Sequence, residues 1–175
     1  MKTSMTRLVV TCIVTGGLLV SASLSLQAKK VEFPEKDPAI TFEVPDGWTS
    51  ENGPDGRIYF TAPDGFKFGV VASPGVKNAA DAEALVPKVL QSMCDAMKCA
   101  DYKMEEKHTA DMGKIWLTAR EASGKVDGTE MSLNAVVFSV TSGKYFSIVG
   151  ASTKAIDEAH GKDMNAVLKS IAPVD

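Results

Sequence analysis

Ala135-Val136-Val137-Phe138, within the run Glu130 to Val140, gives a strand almost nothing polar to turn toward water on either side. Successive side chains of a strand point to opposite faces, so an unbroken apolar stretch of this kind belongs to a strand covered on both faces. The covering layers must come from elsewhere in the chain. Two segments carry the 3.6-residue period of an amphipathic helix. In residues 78–98, Leu85, Val86, Val89, Leu90, Met93 and Met97 form one stripe, with Lys88, Gln91, Asp95 and Lys98 mostly opposite; near the C-terminus Ile156, Ala159, Met164, Val167, Leu168 and Ile171 form another, ending before Pro173. Two helices and two faces predict one long helix on each face of the sheet.

The rest reads as strands. Ile40, Phe42 and Val44 alternate with Thr41 and Glu43, and Pro45-Asp46-Gly47 closes that strand in a turn leading to Trp48. Arg57 to Ala62 and Phe66 to Ser73 are joined by Pro63-Asp64-Gly65, a hairpin signal. After the first helix come runs from Tyr102 to Thr109, Lys114 to Ala122, Glu130 to Val140 and Lys144 to Ser152, whose short Gly-bearing connections suit antiparallel neighbours and cannot hold parallel crossovers. The expected class is α+β, a three-layer α/β/α sandwich around a mainly antiparallel sheet of six to seven strands. Asn78 with Asp81 offers a cap to the first helix, while Pro87 predicts a kink or a start near Val86.

Residues 1–28 read as an address rather than as fold. Lys2 and Arg7 precede an apolar run from Leu8 to Val20, then a small and polar stretch ending at Ala28 before Lys29-Lys30, the order of a secretory signal. Cleavage after Ala28 is expected, with Ser25 and Ala22 as alternatives. The apolar run falls short of the roughly 20 residues that span a bilayer, and Cys12 lacks the small residues that precede a lipid-attachment cysteine. Residues 29–38, charged and holding Pro34 and Pro38, form an extended lead-in, and 39–175 a single domain. A periplasmic or secreted protein without stable membrane insertion follows. Without the signal, 17 basic residues face 22 acidic ones, a net charge of −5, with no basic cluster for nucleic acid.

The segment from Ile40 to Trp48, the aromatic hairpin at Pro63-Asp64-Gly65, one helix, four strands and a last helix ending at Pro173 together resemble the PsbP-like and DcrB-like group of small α/β/α domains. The resemblance spans essentially the whole mature chain. It implies a domain that acts by docking on other proteins, without catalysis or cofactor. The matching positions Val44, Pro45, Gly47 and Trp48 shape a turn and fill a core.

Cys94 and Cys99 are an even pair in an oxidising compartment, and a disulfide is expected provided the helix ends between them. His108 sits among Glu105, Glu106 and Asp111, a mixture able to bind a divalent cation, but alternation places Glu106 with His108 and turns Glu105 the other way. A solvated strand end is the expectation, and no metal site is assigned. His160 lies at the edge of the last apolar stripe, where Asp157, one turn before it, can satisfy a ring nitrogen. No nucleophile elbow, phosphate loop, zinc-binding helix or calcium loop is present in the sequence. The expected function is non-enzymatic binding of another envelope or exported protein, as an accessory, assembly or chaperone-like factor, through a sheet edge or the Trp48–Gly56 loop. A metal or small-ligand carrier using the His108 region, and a small periplasmic hydrolase, are the alternatives.

Overall fold

The computed structural model describes residues 28–53, 55–140 and 143–174. The body of the expected signal segment, with Cys12 and the cleavage positions before Ala28, lies outside the described residues. In chain order come β1 (Ala28–Phe33), β2 (Ile40–Pro45), β3 (Thr49–Asn52), β4 (Ile58–Thr61), β5 (Lys67–Ala72) and α1 (Ala79–Met97). They are followed by β6 (Ala100–Met104), β7 (His108–Asp111), β8 (Ile115–Val126), β9 (Thr129–Val140), β10 (Tyr145–Thr153), α2 (Lys154–Ser170) and β11 (Ala172–Pro173).

The doubly apolar strand β9 lies in the interior of the larger sheet, whose order is β3-β4-β5-β10-β9-β8-β6, with β7 also paired to β8. Leu133, Ala135 and Val137 bury on one face with Ala82, Val86 and Leu90 of α1. Phe138 and Val140 bury on the other, with Phe68, Val70, Phe146, Ile148 and Val167 of α2. One helix therefore covers each face, and every strand pairing is antiparallel.

Three features depart from the expected sandwich. The lead-in is a strand: Ala28 to Phe33 pair residue by residue with Pro45 to Ile40. Its charged residues suit an edge, where side chains reach solvent. With β11 on the other side of β2, it makes a separate three-stranded sheet, so β2 leaves the main sheet and packs against α2. The main sheet accordingly holds eight strands rather than six or seven. The increase comes from β3, in the loop after Trp48, and from a break at residues 105–107 that divides one expected strand into β6 and β7. Pro87 also lies inside a helix that already begins at Ala79, so a start near Val86 does not occur. The cap bond from Asp81 N to Asn78 Oδ1 (2.9 Å) and the buried stripe outweigh the hydrogen bond that Pro87 removes. The two Pro-Asp-Gly turns form as expected, with Gly47 and Gly65 at φ 82° and 92°, where a side chain would be strained.

Candidate functional site

Two polar constellations lie on the α2 side of the large sheet. The first is built on His160, whose side chain is 13% exposed. Its ring stacks on Phe66 (4.6 Å between centroids, 19° between planes) and meets Trp48 edge-on at 5.3 Å. Nδ1 lies 2.9 Å from Asp163 Oδ2, one turn along α2, and Nε2 lies 2.9 Å from Asp64 Oδ2 in the β4–β5 turn. A carboxylate only accepts, so an imidazole held between two of them donates from both nitrogens and carries a positive charge. Burial opposes that charge, but the hydrogen bonds and charges of Asp64 and Asp163 outweigh it and raise the pKa of His160 above 6.5. The bond to His160 in turn lowers the pKa of Asp64. The expected partner, Asp157, is not the one found. Trp48 is half-buried and walls this site beside Phe66 and Phe68, and Val44 is 2% exposed.

Asp157 belongs to the second constellation. Near the start of α2 it reaches over β9, accepting from Ser132 Oγ (3.0 Å) and Asn134 Nδ2 (2.8 Å). Glu121 faces Asn134 across the β8–β9 pairing, and Ser152 faces Ser132 across β9–β10. Glu105 N donates to Glu121 O (2.9 Å), so Glu105 stands beside Glu121 on the next strand. The 105–107 break thus puts Glu105 on the face of β8 that His108, opposite Ala119, also occupies, reversing the expected alternation. Burial, followed by the charge of Asp157, raises the pKa of Glu121, and only His108 opposes this. Burial also raises Asp157, partly offset by its bonds to Ser132 and Asn134. Glu105 is paired with the exposed Lys103 at 2.9 Å. Among the described residues, Glu121 and Asp157 make no ion pair, and no group of three His, Cys, Asp or Glu side chains could hold a metal ion.

Cys94 and Cys99 are free thiols, the first buried and the second half-buried, which departs from the expected bridge. The helix does end between them: Lys98 caps it in the left-handed region and Cys99 N donates to Cys94 O at 2.9 Å. Cys94 Sγ lies 3.8 Å from Cys99 O, and burial beside Cys99 pushes its pKa up to about 11, so it is no ready nucleophile. A separate open cleft of about 370 Å³ lies between Pro34, Ala39, Pro74, Val76, Tyr145 and Phe146, with Lys144 and Asp37 paired across its mouth at 3.4 Å.

Sequence reasoning named His108, His160 and Asp157 but missed Asp64 and Asp163 as partners of His160, and missed the row Glu121, Asn134, Ser132 and Ser152. A signal for the row existed: along the inward face of β9 the order Val140, Phe138, Val136 turns into Asn134 and Ser132, and along β8 Leu117 and Ala119 turn into Glu121.

No protein-family model and no curated protein sequence matches this chain. Solved structures do match. The cyanobacterial PsbP protein CyanoP of Synechocystis sp. PCC 6803 superposes with a TM-score of 0.66 at 13% identity, covering 91% of this chain and 98% of that one. This chain has a PsbP-like fold. The Ran-binding protein Mog1p of Saccharomyces cerevisiae matches it with a TM-score of 0.56 at 16% identity, over 86% of this chain and 97% of its own. LpqN of Mycobacterium tuberculosis, described as involved in cell envelope biogenesis, matches with a TM-score of 0.51 at 14% identity, over 85% and 91%.

Proposed function

We propose that this chain is an exported, non-enzymatic accessory protein that works by docking on another envelope or exported protein. The observation that carries this reading is the PsbP-like fold, matched over 85–91% of the chain and shared with a Ran-binding protein and with a protein described as involved in cell envelope biogenesis. The site chemistry agrees with it. His160 has both ring nitrogens committed to carboxylates, so it offers no lone pair to a nucleophile, and the thiol of Cys94 is buried with a raised pKa. The acidic row supplies charge and hydrogen-bond acceptors, the materials of recognition.

Export rests on the charged, apolar and small-residue order of positions 1–28. Mass spectrometry of the protein from the periplasmic fraction is expected to find a chain beginning between Ser23 and Lys29; intact Met1 in the membrane pellet overturns export. For docking, cross-linking of the tagged protein in the intact envelope is expected to recover one dominant protein partner that persists in His108→Ala and His160→Ala. Absence of a partner, or a measurable turnover abolished by either substitution without a change in melting temperature, overturns docking.

A further inference from the structure

Glu121 is the least satisfied charged group in the acidic row. Carboxylates withdrawn from water are ordinarily paired, and like charges directly opposite each other on neighbouring strands destabilise a sheet. Glu121 has Glu105 beside it on one strand, and on the other side Asn134, opposite it on β9, is held by Asp157; His108, opposite Ala119 on the same strand face, partly offsets their charge, and among the described residues no ion pair reaches Glu121. A second, independent feature lies at the floor of the same place. Ser152 is 7% exposed, its hydroxyl has no hydrogen-bond partner, and it stands opposite Ser132, whose own hydroxyl is given to Asp157. An unpartnered hydroxyl on β10 and a carboxylate without an ion pair on β8 thus flank the Asp157 carboxylate that lies over β9, leaving negative charge and hydrogen-bonding capacity unanswered on this face.

We propose that this row is the recognition pocket of the docking surface, and that it receives an arginine side chain of the protein partner. The inference rests on the docking reading above and gives it a place and a chemistry. A guanidinium presents five N–H donors in one plane, enough to serve the carboxylates of Glu121 and Asp157 together, which a single ammonium point charge does less well. The alternative of a bare divalent cation has weaker support, because no three metal-ligating side chains converge there among the described residues. Charge complementarity points the same way: the chain without its signal carries −5, and Lys103, the one lysine paired within the row, is exposed and already held by Glu105.

The test is an NMR titration of the exported, purified protein, labelled with nitrogen-15, using N-acetyl-arginine methylamide, its uncharged citrulline counterpart, and calcium alone. Saturable shifts at the amides of Glu105, Glu121, Asn134, Ser152 and Asp157 are expected with the arginine probe and not with citrulline, weakened about tenfold or more in Glu121→Gln. Equal shifts with both organic probes, no shifts at these amides, or tighter binding of calcium than of the arginine probe overturns the inference. Envelope cross-linking separates the two readings. If Glu121→Gln and Asp157→Asn recover the same partner at the wild-type yield, docking stands and the arginine pocket fails; if the wild-type protein recovers no partner while the arginine probe still binds at the row, docking fails and the pocket stands. Because Gln and Asn keep shape and hydrogen bonding, the fold is retained, and an unchanged amide spectrum outside the row verifies this.

Discussion

His160 and Glu121 are both half-buried titratable groups on the α2 side of the same sheet, and their surroundings treat them in opposite ways. Around His160 every charge has an answer: two carboxylates for one imidazolium, an aromatic ring stacked on one face and another at the edge. Around Glu121 carboxylates gather and only Glu105 has an ion-pair partner, the exposed Lys103, while burial drives Glu121 and Asp157 toward the protonated form. Natural cores rarely keep such an arrangement without return, since it lowers stability and adds nothing to packing. The difference separates a clasp that holds α2 to the β4–β5 turn from a surface left incomplete until something binds.

The largest effect is expected on the clasp side. Trp48→Ala removes the edge contact to His160 and the packing on Phe66 and Phe68, and should lower stability by about 3 kcal/mol, measured by urea denaturation. A loss below about 1 kcal/mol would make the aromatic wall incidental. His160→Gln should cost about 2 kcal/mol, because it leaves Asp64 and Asp163 without their shared cation.

The pH dependence sharpens the same contrast. A histidine whose pKa is raised in the folded state contributes stability that is fully present below its ordinary value of 6.5 and is lost as pH rises through the raised value. The groups facing the ring are Asp64 from the turn and Asp163 and Asp157 from α2. The melting temperature should therefore fall as pH rises from the ordinary histidine value of 6.5 through the raised one, and His160→Gln should flatten that fall. Glu121 and Asp157 act in the same direction at lower pH: their raised values mean stability gained as pH drops toward their ordinary range.

Much of the clasp was legible in the sequence and little of the row was. Trp48, the Pro63-Asp64-Gly65 turn and the stripe carrying His160 are local patterns, each decided by period or turn chemistry within a few residues. The meeting of His160 with Asp64 spans a sequence separation of 96 residues, which no local pattern encodes. The sheet's interior strand was legible because burial on both faces imposes a composition, whereas β1 and β3 were not, because edge strands accept the charged and polar residues that also make loops. The face shared by Glu105 and His108 depends on the break at 105–107, and a slip of one residue in a strand reverses every side chain after it.

The smallest stability effect has the opposite sign. Glu121→Gln removes one of the crowded carboxylates and should raise stability by about 0.5–1 kcal/mol at neutral pH, read by thermal and urea melts. A loss of stability would show that Glu121 supports the fold and that the row is complete as it stands.

The most direct test joins the two regions in one measurement, the cross-linking yield of the partner in the intact envelope against melting temperature, for wild type, His160→Gln and Glu121→Gln. His160→Gln is expected to melt lower yet cross-link normally at growth temperature, while Glu121→Gln is expected to melt as high or higher yet lose cross-linking about tenfold or more. Cross-linking that simply follows melting temperature across the three proteins would contradict this expectation.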